Sequence, residues 1–174
     1  MPTPQSAMRV AVVQASPVLF DKAATLEKTI TLSREAAAHG AELILFPESF
    51  IPAYPRGLRF GSPVGSRSAA GRALWSRYWE ASVEVDGPEC DSLAKLAAEL
   101  NTWIVIGVTE RAGGTLYCSL WYFSPKGTLA QQHRKLKPTA AERIVWGEGD
   151  GRDLDTVQTT LGPTGGLICW ENYM

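Results

Sequence analysis

The chain has 174 residues, 45% hydrophobic and 20% charged, with 17 basic against 18 acidic side chains. That length supports one domain with a sizeable core, and the near-balance of charge leaves no footprint for nucleic acid or an anionic membrane surface. No apolar run approaches the roughly 20 residues that span a bilayer, and the opening MPTPQSAMRVAVVQAS lacks the basic stretch and long apolar core of a secretory leader. Three cysteines, Cys90, Cys118 and Cys169, are odd in number and far apart. They argue against a disulfide framework and a zinc site and point to the reducing cytoplasm.

Met8–Ala15 (MRVAVVQA) is a Val-rich run suited to a buried strand. Asp21 offers an N-cap, Leu26, Ile30, Ser33 and Ala37 recur at helical spacing, and Gly40 supplies the stop. AELILFPE follows as a second apolar strand ending at Pro47–Glu48, so strand, helix and strand form a βαβ unit with parallel strands. Ser49–Ser68, rich in Gly, Pro, Arg and aromatics, reads as a long functional loop. Helices are expected over Ala69–Ser82 and over Cys90–Leu100, the second with Leu93, Leu96, Ala97 and Leu100 on one face. WIVIGVTE (Trp103–Glu110) is again a buried-strand run, and TLYCSLWYFS pairs with it across Gly113–Gly114. SPKG (Ser124–Gly127) turns the chain into another strand reaching Gln132. His133–Asp153 reads as a polar loop with one helical turn, and Thr156–Thr160 and Gly165–Cys169 as two short final strands. There is no internal repeat, low-complexity tract or linker, so residues 1–174 read as a single α/β domain.

Three reactive side chains sit at strand exits: Glu48 after the second strand, Lys135 after the strand ending near Gln132, and Cys169 after the last apolar run. In a parallel-rich sheet the carboxyl ends of the strands share one edge, where ligands bind. A thiol of ordinary acidity is only a few per cent thiolate at neutral pH and needs help to attack. A carboxylate can take its proton, and an ammonium can stabilise the negative charge that develops. Taken singly, Glu48 reads equally as a solvated acid, Lys135 as a surface charge beside Arg134 and Lys137, and Cys169 as a buried structural thiol. A Cys–His nucleophile through His133 is the competing arrangement.

Three stretches resemble the nitrilase branch of the carbon–nitrogen hydrolase superfamily. GAELILFPESFIPAYPRG (Gly40–Gly57) resembles the segment of the family's catalytic glutamate, HRKLKPTAAERIVWGEGDG (His133–Gly151) that of its lysine, and GGLICWENYM (Gly165–Met174) that of its nucleophile. MRVAVVQASPV and GTLYCSLWYFSPKG extend the likeness from about Met8 onward. The resemblance implies an α-β-β-α sandwich, of which this sequence supplies about the first half to two-thirds. It implies Cys169 as nucleophile, Glu48 as general base, Lys135 (with Lys137 as its rival) as cationic stabiliser, and Glu142 as a second acid that orients the site. Tyr54, Trp146, Trp170 and Tyr173 would line a pocket for a small-molecule nitrile. The implied reaction passes through a thioimidate and a thioester to the carboxylic acid and ammonia, with no metal or organic cofactor. Cyanide hydration and amide hydrolysis are the alternatives within the superfamily, a catalytically incompetent fragment is the alternative outside enzyme function, and homo-oligomers are common among the family's members. Ala53 stands where the family often has glycine, a change that adds one methyl group. A sheet that stops at Met174 would expose strand edges and an apolar face, so the 174-residue chain by itself is expected to be poorly soluble or partly folded.

Overall fold

Strands β1 (Val10–Val12), β2 (Leu43–Leu45), β3 (Trp103–Ala112), β4 (Thr115–Ser124) and β5 (Thr128–Arg134) lie side by side in chain order in the computed structural model. Residues 7–63, 65–160 and 162–174 are described, so the reading of Met1–Ser6 as free of a leader lies outside them. Strands β1, β2 and β3 are parallel, while β4 runs antiparallel to β3 and β5 antiparallel to β4. The exits of β2, β3 and β5 therefore share one edge of the sheet. The β3–β4 hairpin closes through Gly113–Gly114, with Ala112 opposite Thr115 as the sequence suggests.

The central strands are covered on both faces, which is why they read as unbroken apolar runs; β1, expected as a buried strand, is an edge strand that leaves Val10 and Val12 exposed. On one face Ile44, Ile104, Ile106, Val108, Trp121 and Phe123 pack with α3 (Pro88–Leu100) and α1 (Lys22–Ala38). On the other, Leu43, Val105, Cys118, Leu120 and Tyr122 pack with Trp146, Val157 and Ile168. Helix α2 (Ala69–Ala81) joins this second cluster through the fully buried Tyr78.

Helix α1 begins where expected, with the Asp21 carboxylate accepting from the Ala24 N–H. Its deepest row is not the expected apolar one, however. Thr25, Thr29 and Ser33 are fully buried, and Leu26 and Ile30 flank them. The hydroxyls of the two threonines are absorbed locally: Thr29 donates to the Thr25 carbonyl and Thr25 to the Val18 carbonyl. Small side chains let a helix approach its neighbour closely; the two threonine hydroxyls are satisfied within the chain, while the buried Ser33 hydroxyl has no hydrogen-bond partner among the described residues. Helix α3 starts two residues earlier than Cys90, because Pro88 at the first helical position fits a helix start.

The expected strand over Gly165–Cys169 is absent. Strand β6 (Val157–Thr159) pairs instead with β7 (Gly162–Thr164), and the chain then crosses the face of β4 in extended, unpaired form. Gly166 lies so close that a Cβ there would stand 2.2 Å from the Tyr122 hydroxyl and 2.5 Å from Leu120 Cδ2. A segment lying on a sheet face has no ladder partner, so its apolar pattern records burial and not strand pairing.

The turn after β2 is fixed from behind. Gly107 in β3 passes directly under it: a Cβ would sit 2.4 Å from the Pro47 carbonyl oxygen and 2.6 Å from Glu48 Cα. Ser49, Thr109 and Tyr78 share a buried hydroxyl cluster, with Ser49 and Tyr78 each 2.7 Å from Thr109 Oγ1, and the Tyr78 hydroxyl donates to the Ala53 carbonyl at 3.1 Å. Ala53 itself has φ 115°, a conformation that favours glycine. Its methyl group is therefore more than a small addition, since it holds an L residue in a strained backbone. Ala53→Gly should relieve strain of about 1–3 kcal/mol, offset in part by the roughly 0.5–1 kcal/mol entropic disadvantage of glycine. A higher melting temperature is expected by calorimetry, and a lower one would show that the surroundings have accommodated the methyl group.

Candidate active site

Glu48 follows β2 by three residues and Lys135 follows β5 directly, so the shared sheet edge brings them together across 87 positions of sequence. The Lys135 side chain is fully buried, and its ammonium donates to Glu48 Oε1 and to Glu142 Oε2, both at 2.8 Å. Glu142 belongs to a 3-10 turn, Ala140–Ile144, where its carboxylate also accepts from the Thr139 N–H at 2.6 Å and from the Tyr54 hydroxyl at 2.6 Å. Neither nearby arginine is its partner: Arg134 pairs with Glu110, and Arg143 donates to the Pro138 carbonyl. Tyr54 meets the buried Trp146 edge-on at 5.6 Å, and Trp146 in turn lies 6.0 Å from the Lys135 ammonium. Lys137 instead points outward and pairs with Glu148, so only the first lysine of RKLK enters the cluster.

Burial alone would lower the pKa of the Lys135 ammonium, but its hydrogen bonds to Glu142 and Glu48 outweigh burial and hold it well above its ordinary 10.5. Burial likewise favours the neutral form of Glu142, yet hydrogen bonds from Lys135, Tyr54 and the Thr139 N–H hold it below its ordinary 4.5. Burial, reinforced by the Glu142 carboxylate, pushes the Tyr54 phenol up. The Glu142–Lys135 pair is thus charged at neutral pH.

Sequence reading missed a fourth member. The buried Cys118 thiol donates to Glu48 Oε1 at 3.5 Å, and burial together with the Glu48 charge pushes its pKa well up. Cys118 is therefore a protonated donor here. Its only trace in the sequence is its place in an apolar strand, where a thiol passes for a small hydrophobe.

Cys169 reaches the same region from the other side. It opens a 3-10 turn, Cys169–Tyr173, with φ 53°, and its thiol is exposed. Cys169 and Glu48 both line a cavity of about 790 Å³ between the face of β2, β3 and β4 and the segment Thr164–Ile168. A left-handed non-glycine residue at a cavity rim is where strain of about 1–3 kcal/mol is commonly held for function. Trp170 and Tyr173 are 57% and 81% exposed and pack on each other at 5.4 Å, outside the cavity lining. His133 is not paired with Cys169, because its two ring nitrogens face Asp153 and Glu171.

The charge state of Glu142 makes a checkable statement about stability. Because the folded protein holds Glu142 below 4.5, the unfolded chain takes up that proton first as pH falls. The contribution is present above 4.5 and lost below it, while that of Lys135, raised above 10.5, stays constant over the acid range. The melting-temperature gap between wild type and Glu142→Gln should therefore narrow as pH is lowered from about 6 to about 3. A gap independent of pH would show that the carboxylate is not ion-paired in the folded state.

The chain is 54% identical over 166 residues to an aliphatic nitrilase of Sinorhizobium fredii (strain HH103), covering 95% of this chain and 54% of the relative. It is 47% identical over 167 residues to a bifunctional nitrilase/nitrile hydratase of Lupinus angustifolius, covering 96% and 48%. The chain thus spans about half the length of the curated relatives it matches. Among solved structures, an amidase from Nesterenkonia superposes with TM-score 0.68 at 18% identity, over 97% of this chain and 57% of the other. Nit3 of Saccharomyces cerevisiae, a member of the nitrilase superfamily, superposes with TM-score 0.69 at 22% identity, over 96% and 57%. These likenesses establish the α/β fold of the nitrilase superfamily. The carbon–nitrogen hydrolase family model matches residues 9–174, and the chain belongs to that family.

Proposed function

We propose that this chain carries the reacting groups of a nitrilase, which converts a small-molecule nitrile to the carboxylic acid and ammonia. The observation that carries the reading is the buried Lys135 ammonium clamped between Glu48 and Glu142, with Glu48 and Cys169 opening on one cavity. In this reading Glu48 takes the proton of the Cys169 thiol as sulfur attacks the nitrile carbon, giving a thioimidate. Water adds, the carbon–nitrogen bond breaks to release ammonia, and a thioester remains. A second water, deprotonated by Glu48, adds to the thioester, and cleavage of the carbon–sulfur bond returns the thiol and releases the acid. Lys135 stabilises charge on nitrogen or oxygen in the tetrahedral steps. Glu142 holds Lys135 in place, and Tyr54 and Trp146 pack beside it; Tyr54, Trp146, Trp170 and Tyr173, none of which lines the cavity, are kept as substrate contacts on the family resemblance alone.

No step calls for a metal or organic cofactor. Among the described residues no helix is long and apolar enough to cross a membrane, and three unpaired cysteines support a cytoplasmic location. Homo-oligomer formation, which the family resemblance implies, is part of the same proposal.

A second reading, amide formation or amide hydrolysis, follows from the tetrahedral intermediate, which can lose either nitrogen or sulfur. Supplying the full-length protein with a nitrile and with the matching amide, and measuring ammonia, separates the two: ammonia from the amide alone would overturn the nitrilase reading. Cys169→Ala should lower turnover more than about 10⁴-fold, and Lys135→Ala by about 10²–10³-fold. Lys137→Ala should stay within about threefold of wild type. Full loss in Lys137→Ala with activity kept in Lys135→Ala would reverse the lysine assignment.

A further inference from the structure

Beyond the groups that meet the substrate, a second buried ionisable cluster ties the nucleophile turn to the lysine strand. Glu171 lies two residues after Cys169, and its side chain is 1% exposed. Its carboxylate accepts from the Ile168 N–H at 2.6 Å, immediately before the nucleophile, and from the Leu136 N–H at 2.7 Å, immediately after Lys135. His133, also 1% exposed, faces the same carboxylate through Nε2 at 2.9 Å. Its other nitrogen, Nδ1, faces Asp153 Oδ1 at 3.1 Å, and Asp153 Oδ2 accepts from the Arg134 N–H at 3.1 Å. Both partners of the ring are carboxylates, so whichever ring nitrogen carries the proton has an acceptor in front of it. Lys135 is consequently flanked on either side, at positions 133 and 136, by groups bonded to one carboxylate that also grips position 168.

We propose that Glu171 and His133 are positioning residues that hold the strained Cys169 turn in register with Lys135. Cys169 needs such a hold. Its φ of 53° is unfavourable for an L residue, and the segment before it has no strand partner. With Glu171 in place, the Ile168 N–H is fixed from the same point that fixes the exit of β5, so thiol and ammonium share one frame of reference. Neither Glu171 nor His133 lines the cavity, so their effect on the reaction passes through the placement of Cys169. The proposal rests on the nitrilase reading only in taking Cys169 as the nucleophile.

The test uses the full-length protein with His133→Leu, His133→Gln, Glu171→Gln and the double variant His133→Leu/Glu171→Gln. Each is read by thermal melting, by kcat and KM for ammonia release from a nitrile, and by the second-order rate of Cys169 alkylation with iodoacetamide. In variants that still melt cooperatively, His133→Leu and Glu171→Gln should lower kcat by on the order of 100-fold, the effect of a displacement of about 1 Å at a reacting atom. KM should stay within about threefold, and the alkylation rate should change in parallel with kcat. His133→Gln, which can still donate to Glu171, should recover at least tenfold over His133→Leu, and the double variant should be no slower than the slower single one. Folded single variants with wild-type kcat and alkylation rate overturn the proposal, as do losses that multiply in the double variant. Should Glu171→Gln fail to fold, the His133→Leu and His133→Gln pair decides by itself. A wild type that releases no ammonia from a nitrile overturns the nitrilase reading instead, and the alkylation rates still judge the positioning role.

Discussion

A lysine ammonium with no exposed surface is the constraint on which the rest of this site depends. An unpaired charge at that depth is costly enough that the side chain would give up its proton or its burial. Glu48 and Glu142 remove the conflict, but they come from the exit of β2 and from the turn that follows β5, and each must arrive within hydrogen-bonding distance. Charge-assisted hydrogen bonds of this kind contribute roughly 1.5–3 kcal/mol each, while loss of one partner from such a cluster leaves a buried charge uncompensated. The cluster therefore demands accuracy from the scaffold more than it adds stability to it.

The scaffold supplies that accuracy through small residues and hydroxyls. Gly107 lets the Glu48 turn lie directly on β3, and the Ser49–Thr109–Tyr78 cluster holds the turn from behind. Gly166 lets the approach to Cys169 press against Tyr122 and Leu120. None of these residues carries chemistry. Each sets a distance that a larger or apolar side chain would lengthen, and at a reacting centre a shift of about 1 Å changes rates by about 100-fold.

What the sequence made legible follows from where hydrophobicity is a faithful signal. The β2, β3 and β4 strands are buried on both faces, so their apolar runs announce them, and glycine and Asp caps mark the turns and the start of α1. The same signal misled at Gly165–Cys169, where burial against a sheet face mimics a strand, and at α1, where threonines that satisfy their own hydroxyls fill the deepest row. The choice between Lys135 and Lys137 could not come from spacing. Strand alternation would put both side chains on the same side; it is the bend after β5, at Leu136–Lys137, that separates them, leaving Lys135 with Glu48 and Lys137 with Glu148. Cys118 and Glu171 were silent for a similar reason: one looks like core, the other like a solvated acid in a short polar run.

Glu142 and Glu171 are the same local device used twice. Each sits at the third position of a five-residue 3-10 turn and reaches back to accept the N–H that precedes the turn, from Thr139 in one case and Ile168 in the other. A carboxylate so placed completes the turn, since the first N–H groups of any helical turn lack internal partners. It still has lone pairs to spare, and those decide what each turn is for. Glu142 spends its remaining capacity on the ammonium and phenol of the reacting cluster, which fixes charge. Glu171 directs its own to His133 and the Leu136 N–H, which fixes position. Both routes converge on the four residues His133–Leu136, so the exit of β5 is the segment through which the base, the cation and the nucleophile are held to a common geometry.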